Sequence, residues 1–277
     1  MLQWIFKLAC IPFLLAPLNF ALVSHASAAE TSMLVRLTDR KDLSGWEAVG
    51  RIDMAKGGYC TGVLIADDLV LTAAHCVFDP RTGGRLAAKD FTFKAGLHNG
   101  KAIKSVQGRR VAVDKTYLPR YGSSPKNIRH DVALIQLKTP ITTFNATPFA
   151  LHSGATKGKQ VSVLSYGLGR DKVLSMQREC NVLARDSGLM VFNCDVTFGS
   201  SGAPVFAKEG SQNRILSLIS SGGKADGKTV SFGMELPKIV ARLKHDLTSA
   251  SQGKRSTVRM MSVGSGKTTS GAKFIKN

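Results

Sequence analysis

The chain has 277 residues, with 38 Lys or Arg against 19 Asp or Glu, a formal net charge of +19. At 43% hydrophobic and 21% charged residues with only 9 Pro, it has an ordinary globular composition, which excludes disorder along the whole length. Its one long apolar run, Leu8 to Val23, is broken by Pro12 and Pro17, which excludes a multi-pass membrane architecture.

That run reads as a targeting segment. Lys7 supplies a positive start, residues 8 to 23 an apolar stretch, and Ala26-Ser27-Ala28 a small-residue cleavage site, the pattern of a secretory signal peptide over residues 1–28. Ala29 offers a cleavage position nearly as good. A spanning helix would need ~20 apolar residues, more than the run provides. Cleavage removes Cys10 and leaves Cys60, Cys76, Cys180 and Cys194. An even count with no Cys-x-x-Cys spacing in an exported chain predicts disulfides rather than metal ligation, and four cysteines allow three pairings. The sequence-local one, Cys60 with Cys76 and Cys180 with Cys194, would close two short loops, each worth about 3 kcal/mol.

Residues 29–45 form an N-terminal segment and a candidate propeptide, within a lead-in that runs to about residue 56. Short runs rich in β-branched and other apolar residues follow: 62–65, 69–72, 91–95, 110–113, 132–137, 160–165, 190–193, 204–207, 214–219 and 229–234. Separated by Gly, Asn, Asp and Lys turns with little helical periodicity between them, they predict an all-β domain built as a barrel or sandwich. One helix is expected late, opened by Pro237, with Ile239, Val240, Leu243 and Leu247 on the stripe facing the body. Residues 251–277 carry six Lys or Arg and no acid among Ser, Thr and Gly, the composition of a flexible basic tail. Residues 80 to 130 hold a second basic concentration, twelve Lys or Arg against Asp90 and Asp114.

Three segments carry chemistry. Leu71-Thr72-Ala73-Ala74-His75-Cys76 ends a strand in a histidine, His130-Asp131-Val132-Ala133-Leu134-Ile135 begins one with an aspartate, and Gly199-Ser200-Ser201-Gly202-Ala203-Pro204 sets a serine in a Gly-rich turn. A serine hydroxyl is a weak nucleophile near neutral pH and needs a base in hydrogen-bond reach, a role imidazole fills and a buried carboxylate supports. His98, His130, His152 and His245 have no Cys or carboxylate partner at metal-ligand spacing, so no metal and no cofactor is expected.

In the order His, Asp, Ser, these motifs resemble the chymotrypsin-like (trypsin-like) serine peptidases over roughly residues 46 to 247. The resemblance implies two six-stranded antiparallel β-barrels with a C-terminal helix, in a peptidase domain of residues 46–250. It implies a hydrolase with Ser201 as nucleophile, His75 as base and acid, and Asp131 as the orienting carboxylate. The backbone N–H groups of Gly199 and Ser201 would form the oxyanion hole, and Cys60 with Cys76 would brace the histidine loop. Ser220, Ser221 and Gly222 fall where the family pairs a strand with the substrate backbone, and Gly233 near a position lining the specificity pocket. Asp195, six residues before Ser201, falls where a carboxylate on the pocket floor would reward an Arg or Lys side chain in substrate. No histidine near Ser220 is placed to receive a glutamate.

Two departures from the family pattern matter. No Ile-Val-Gly-Gly start precedes the first barrel, and Ser200 stands where zymogen-activated members carry the Asp that pairs with a new N-terminus. Activation by that ion pair is excluded, and the chain is closer to the bacterial secreted branch with Gly-x-Ser-Gly-x-Pro and short disulfides before the serine. The expected product is an exported, monomeric endopeptidase acting on protein or peptide. The alternatives are a catalytically silent member binding an anionic envelope or host polymer through the basic segments, and an esterase with the same acyl-enzyme chemistry. Aromatics are sparse in those segments, so specific nucleic-acid recognition is not expected.

Overall fold

The computed structural model describes residues 33–153, 160–225 and 227–255. The signal peptide and the tail beyond residue 255 lie outside these described residues. Six strands close an antiparallel barrel in the order β2 (Val49–Met54), β3 (Tyr59–Ala66), β4 (Leu69–Thr72), β7 (Ala133–Leu137), β6 (Lys104–Val113) and β5 (Phe91–Ala95). The pleat explains the sequence. Phe91, Phe93 and Ala95 point inward and are buried, while Thr92 and Lys94 are only partly covered. They pack with Ile52, Leu64, Val70 and Ile135 into the barrel interior.

The second half is one sheet in the order β12 (Gln212–Leu218), β11 (Pro204–Glu209), β8 (Gln160–Ser165), β9 (Ser175–Asp186), β10 (Leu189–Phe192), β14 (Lys228–Met234) and β13 (Ser221–Ala225), with β1 (Leu34–Arg36) added onto β9. Its hydrogen-bond path runs open from β12 to β13 rather than closing into a second six-stranded barrel. Val161, Val163, Met190, Phe192, Val205 and Leu216 fill its interior around the Cys180 and Cys194 sulfurs. β9 and β10 meet through Ser187 and Gly188, both at positive φ (47° and 87°), the two-residue hairpin turn whose twist suits antiparallel strands.

A shared core welds the halves. Val49, Val63, Leu71 and Leu134 from the barrel meet Leu164, Phe206 and Leu218 from the sheet, with Ile239, Val240, Leu243 and Leu247 of the C-terminal helix. Trp46, Phe149 and Phe206 interlock there with ring centroids 4.7 to 5.6 Å apart. The helix, α2 (Pro237–Arg255), opens at its proline and reaches into the stretch read as a basic tail; α1 (Pro125–Ile128) is a single turn. Arg110 of β6 donates from Nη1 to the Leu247 carbonyl at 2.7 Å, tying α2 to the barrel. The lead-in segment packs into the body as well: Leu37 and Leu43 are buried in the shared core. Among the described residues no helix is long and apolar enough to cross a membrane.

Candidate active site

β4 is buried along its whole length and delivers the chain to a tight turn, Ala74–Val77, that carries His75 at the junction of the two halves. Asp131 comes from the turn just before β7, whose first residue is Ala133 rather than the aspartate itself. Asp131 as a residue is 2% exposed. Its carboxylate accepts from the His75 backbone N–H at 2.8 Å and from Nδ1 of the His75 ring at 2.7 Å, and the Ser220 hydroxyl donates to it at 2.5 Å. A buried carboxylate with three donors is well satisfied, and its bond to Nδ1 leaves Nε2 as the ring nitrogen free to accept a proton. Desolvation disfavours the imidazolium, but the charge of Asp131 and its hydrogen bond outweigh this, and the His75 pKa is raised above its ordinary value.

Ser201 opens onto the same cleft, of about 590 Å³, which is lined also by His75, Asp131, Tyr117, Val196 and residues 219–222. The Ser201 hydroxyl makes no hydrogen bond to His75 among the described contacts. Such nucleophile–base bonds are often loose before substrate is present. The backbone around Ser201 is firmly oriented. The Phe198 carbonyl accepts from the Leu168 N–H at 2.7 Å and the Ser200 carbonyl from the Ala203 N–H at 2.9 Å. In a trans peptide the N–H points opposite to the C=O, so the Gly199 and Ser201 N–H groups point the other way, and neither has an acceptor among the described residues. The Gly199 carbonyl is held by the Thr61 hydroxyl at 2.9 Å, and Thr61 Oγ1 in turn accepts from the Tyr166 N–H at 3.0 Å. Gly199 sits at φ +86°, and a Cβ there would strike the Tyr59 ring and the Tyr166 carbonyl. Only glycine allows this turn.

Both disulfides form with the sequence-local pairing. Cys60–Cys76 ties β3 to the His75 turn, and Cys180–Cys194 ties β9 to the segment that leads to Ser201. Cys60, His75 and Cys76 form a group of possible metal ligands, but the two sulfurs are bonded to each other and have no thiolate to offer.

Ser220, Ser221 and Gly222 line the cleft. Ser221 and Gly222 open β13 and Ser220 comes just before it; β13 ends the sheet path, and among the described residues its outer edge has no partner strand. Two of the expected residues lie elsewhere. Asp195 is exposed and borders a separate depression with Met33, Leu34, Gln177, Asn193, Lys228 and Thr229. Its backbone N–H donates to Gln177 Oε1 at 2.7 Å, fixing it on the far side of the segment that the Cys194 disulfide anchors. Gly233 is buried in β14, where a Cβ would strike the Leu218 carbonyl and the Ser217 hydroxyl. It serves the packing of β14 on β12 and does not reach the cleft. The wall where the Asp195 carboxylate was expected carries Val196, whose Cγ2 would lie 2.8 Å from a Cβ on Gly222.

Other residues important to this geometry were not singled out in the sequence. Thr61 supports the Gly199 peptide, Leu168 turns it, and Tyr117 forms part of the cleft wall. None belongs to a motif, and the backbone donor of Leu168 has no side-chain signature.

Comparison with known proteins agrees with this geometry. The family model described as trypsin-like peptidase domain matches residues 60–212. The chain is 23% identical over 188 residues to a glutamyl endopeptidase of Bacillus licheniformis, covering 66% of this chain and 57% of that protein. It is 25% identical over 151 residues to alpha-fibrinogenase albofibrase of Trimeresurus albolabris, covering 54% of each. The chain thus spans about half the length of the curated relatives it matches. Among solved structures, a Glu endopeptidase in complex with MPD superposes with a TM-score of 0.65 at 17% identity, covering 79% of this chain and 97% of that one. The protease Anisep from Arthrobacter nicotinovorans gives 0.58 at 17% identity, covering 78% and 100%. With these matches and a closed barrel packed on a second antiparallel sheet, the chain belongs to the trypsin-like peptidase family and has the chymotrypsin-like fold.

Proposed function

We propose that the protein is an exported serine endopeptidase in which His75 takes the proton of Ser201 as the hydroxyl attacks a peptide carbonyl. The acyl-enzyme forms as His75 returns that proton to the leaving amine, and water then repeats the steps in reverse roles to release the acid. Asp131 keeps the ring in the tautomer with Nδ1 protonated and stabilises the imidazolium. The Gly199 and Ser201 N–H groups receive the negative oxygen of the tetrahedral intermediate, where fixed donors are worth far more than mobile water. The observation that carries this reading is the His75–Asp131 bond of 2.7 Å beside two uncommitted N–H groups flanking the serine. The free edge of β13 offers backbone groups for an extended substrate. Two disulfides and the signal-like N-terminus support export.

The cleft wall gives no support to a cationic P1 residue. Val196, Thr197, Ile219, Ser220, Ser221 and Gly222 are uncharged, and Asp131 is already committed to its three donors. The glutamyl specificity in a relative's name finds no support there either, since among the described residues lining this cleft His75 alone can carry positive charge. The favoured P1 side chain is therefore uncharged.

The rival reading, a silent binder of an anionic polymer, draws on the basic segments. Several of those cations are engaged internally: Lys94 with Asp53, Arg129 with Asp186, Arg110 with Gln136 and Leu247, and Arg85 with the Val111 carbonyl. Labelling of the purified protein by a fluorophosphonate, with Ser201→Ala as control, separates the two. Label on the wild type alone supports the peptidase. Absence of label on folded, disulfide-bonded wild type overturns it. Paired amide and ester substrates then separate peptidase from esterase.

A further inference from the structure

Arg170 is 8% exposed and lies behind the Gly199–Ser201 turn, in the loop that follows β8. Its Nη1 donates to the Ser165 carbonyl at 3.1 Å and to the Ser165 hydroxyl at 3.0 Å, and its Nη2 reaches the Ser200 hydroxyl at 3.5 Å. Ser200 Oγ donates to Ser165 Oγ at 3.1 Å and accepts from the Thr197 N–H at 3.3 Å. One guanidinium and two hydroxyls thus form a closed network under the peptide that ends in Ser201. No carboxylate lies within salt-bridge distance of Arg170 among the described residues.

A buried cation without a paired anion is costly, and an apolar side chain of similar volume would fill the space more cheaply. The surroundings are nevertheless built to keep it. A Cβ on Gly167 would lie 2.5 Å from Arg170 Nη2 and 2.6 Å from its Cζ, so the chain yields its own side chain to admit the guanidinium. The flanking loop is pinned by two more arginines. Arg36 donates to the Gly169 carbonyl at 2.8 Å, and Arg51 donates to the Asp171 carbonyl at 3.0 Å and its carboxylate at 3.2 Å. Between those pins lies Arg170, whose Nη2 reaches Ser200, and just before them Leu168, whose N–H orients the Phe198–Gly199 peptide.

We propose that Arg170 is the positioning residue of the oxyanion-binding turn, its guanidinium holding the Gly199–Ser201 backbone through Ser165 and Ser200 so that both N–H groups stay aimed into the cleft. The position that would pair with a new chain terminus in zymogen-activated members is here a serine bonded into a network that the folded chain supplies by itself. The turn then needs no cleavage event to be ordered. This inference rests on the peptidase reading for its kinetic test, and has a structural readout that does not.

The test compares Arg170→Gln, Arg170→Lys and Ser200→Ala with wild type. Each is assayed for kcat and KM on a peptide substrate, for affinity toward a peptide boronic acid that forms a tetrahedral adduct, and for affinity toward the matching product peptide. The expected result for Arg170→Gln is a fall in kcat and in boronic acid affinity of about 10- to 100-fold with KM and product affinity within about threefold. Ser200→Ala, which cuts the link and leaves the cation in place, is expected to fall in the same direction by less, and Arg170→Lys to recover part of the loss. A folded Arg170→Gln with unchanged kcat and boronic acid affinity overturns the proposal, as does an equal loss for both ligands, which would mark general collapse of the cleft. If Arg170→Gln does not fold, Arg170→Lys and Ser200→Ala decide by the same criteria. If the wild type itself has no activity, the peptidase reading fails alone. The amide NMR signals of Gly199 and Ser201 then report on Arg170: displacement in the variants supports the positioning role, and unmoved signals overturn it.

Discussion

The backbone N–H of Leu168 donates to the carbonyl of Phe198 at 2.7 Å, and this one bond decides which way the next peptide faces. With the Phe198 oxygen turned toward Leu168, the N–H of Gly199 turns into the cleft beside Ser201. The arrangement depends on Gly199 at φ +86°, backed by the Tyr59 ring and the Tyr166 carbonyl. Gly199→Ala is therefore expected to destabilise the fold by about 1–3 kcal/mol. Where the protein still folds, kcat should fall by about 10²–10³-fold as the first oxyanion donor is displaced. Thermal melts and steady-state kinetics on the same preparation check both parts.

The pH dependence follows from His75. Burial opposes its protonation, yet the charge and hydrogen bond of Asp131 prevail and raise its pKa above the ordinary value. Catalysis needs the neutral ring, so kcat/KM should rise with pH through an apparent pKa above about 6.5. Stability runs the opposite way: the contribution from this raised pKa is fully present below about pH 6.5 and is lost as pH rises through the His75 value. Asp131→Asn removes the charge and favours the wrong tautomer, and is expected to lower kcat by about 10⁴-fold and shift the acid limb downward. A pH–rate profile of both proteins is the measurement.

Much of this was legible in the sequence because it is written in local patterns. The runs at 69–72, 91–95 and 204–207 became strands because their apolar residues fit a pleated, buried surface. The stripe Ile239, Val240, Leu243 and Leu247 became the buried face of α2. β2 and β9 were less legible. Val49–Met54 was absorbed into a lead-in segment, although pairing with β3 and β5 makes it part of the barrel wall. Ser175–Asp186 carries so many polar and charged residues that its β character comes from its partners β8, β10 and β1.

The site divides along the same line. His75, Asp131 and the glycine turn belong to short contiguous motifs, and the structure brings them into one cleft. Asp195 shows where spacing stops being informative: six residues before Ser201 it lies on the far side of an anchored segment, and alternation places Val196 on the cleft instead. The support given to Ser200 by Arg170 joins residues 30 apart in the chain, and a lone arginine after a Gly-Leu-Gly run predicts nothing by itself.

The position of Asp195 gives a specificity prediction. Because its carboxylate faces a depression shared with Gln177 and Lys228, Asp195→Ser should leave the ranking of P1 residues unchanged, with kcat/KM for the best peptide within about threefold of wild type. Val196→Asp instead places a carboxylate on the cleft wall beside Gly222 and should raise the preference for Arg or Lys over Ala at P1 by about 10-fold or more. A quenched-peptide set varied only at P1 separates these outcomes. Strong loss of Arg or Lys cleavage in Asp195→Ser would sink this assignment of the pocket wall.

The two disulfides brace different parts of the site, so their removal should differ in kind. Cys60–Cys76 spans 16 residues and Cys180–Cys194 spans 14, and the chain-entropy estimate gives about 3 kcal/mol for either. For a domain of this size that corresponds to a melting temperature lower by about 6–12 °C in each paired Cys→Ser variant. Their effects on catalysis diverge because Cys76 adjoins His75 in the same tight turn, next to the residue whose ring Asp131 orients. Loss of Cys60–Cys76 should lower kcat further by loosening His75, and should broaden the acid limb of the pH profile. Loss of Cys180–Cys194 frees the segment from Cys194 to Phe198 and should act mainly on KM and P1 selectivity, since Val196 to Phe198 form one wall of the cleft. Kinetics at a temperature where both variants remain folded separate the two effects. An identical drop in kcat for both, with KM unchanged, would show that the bridges act only on global stability.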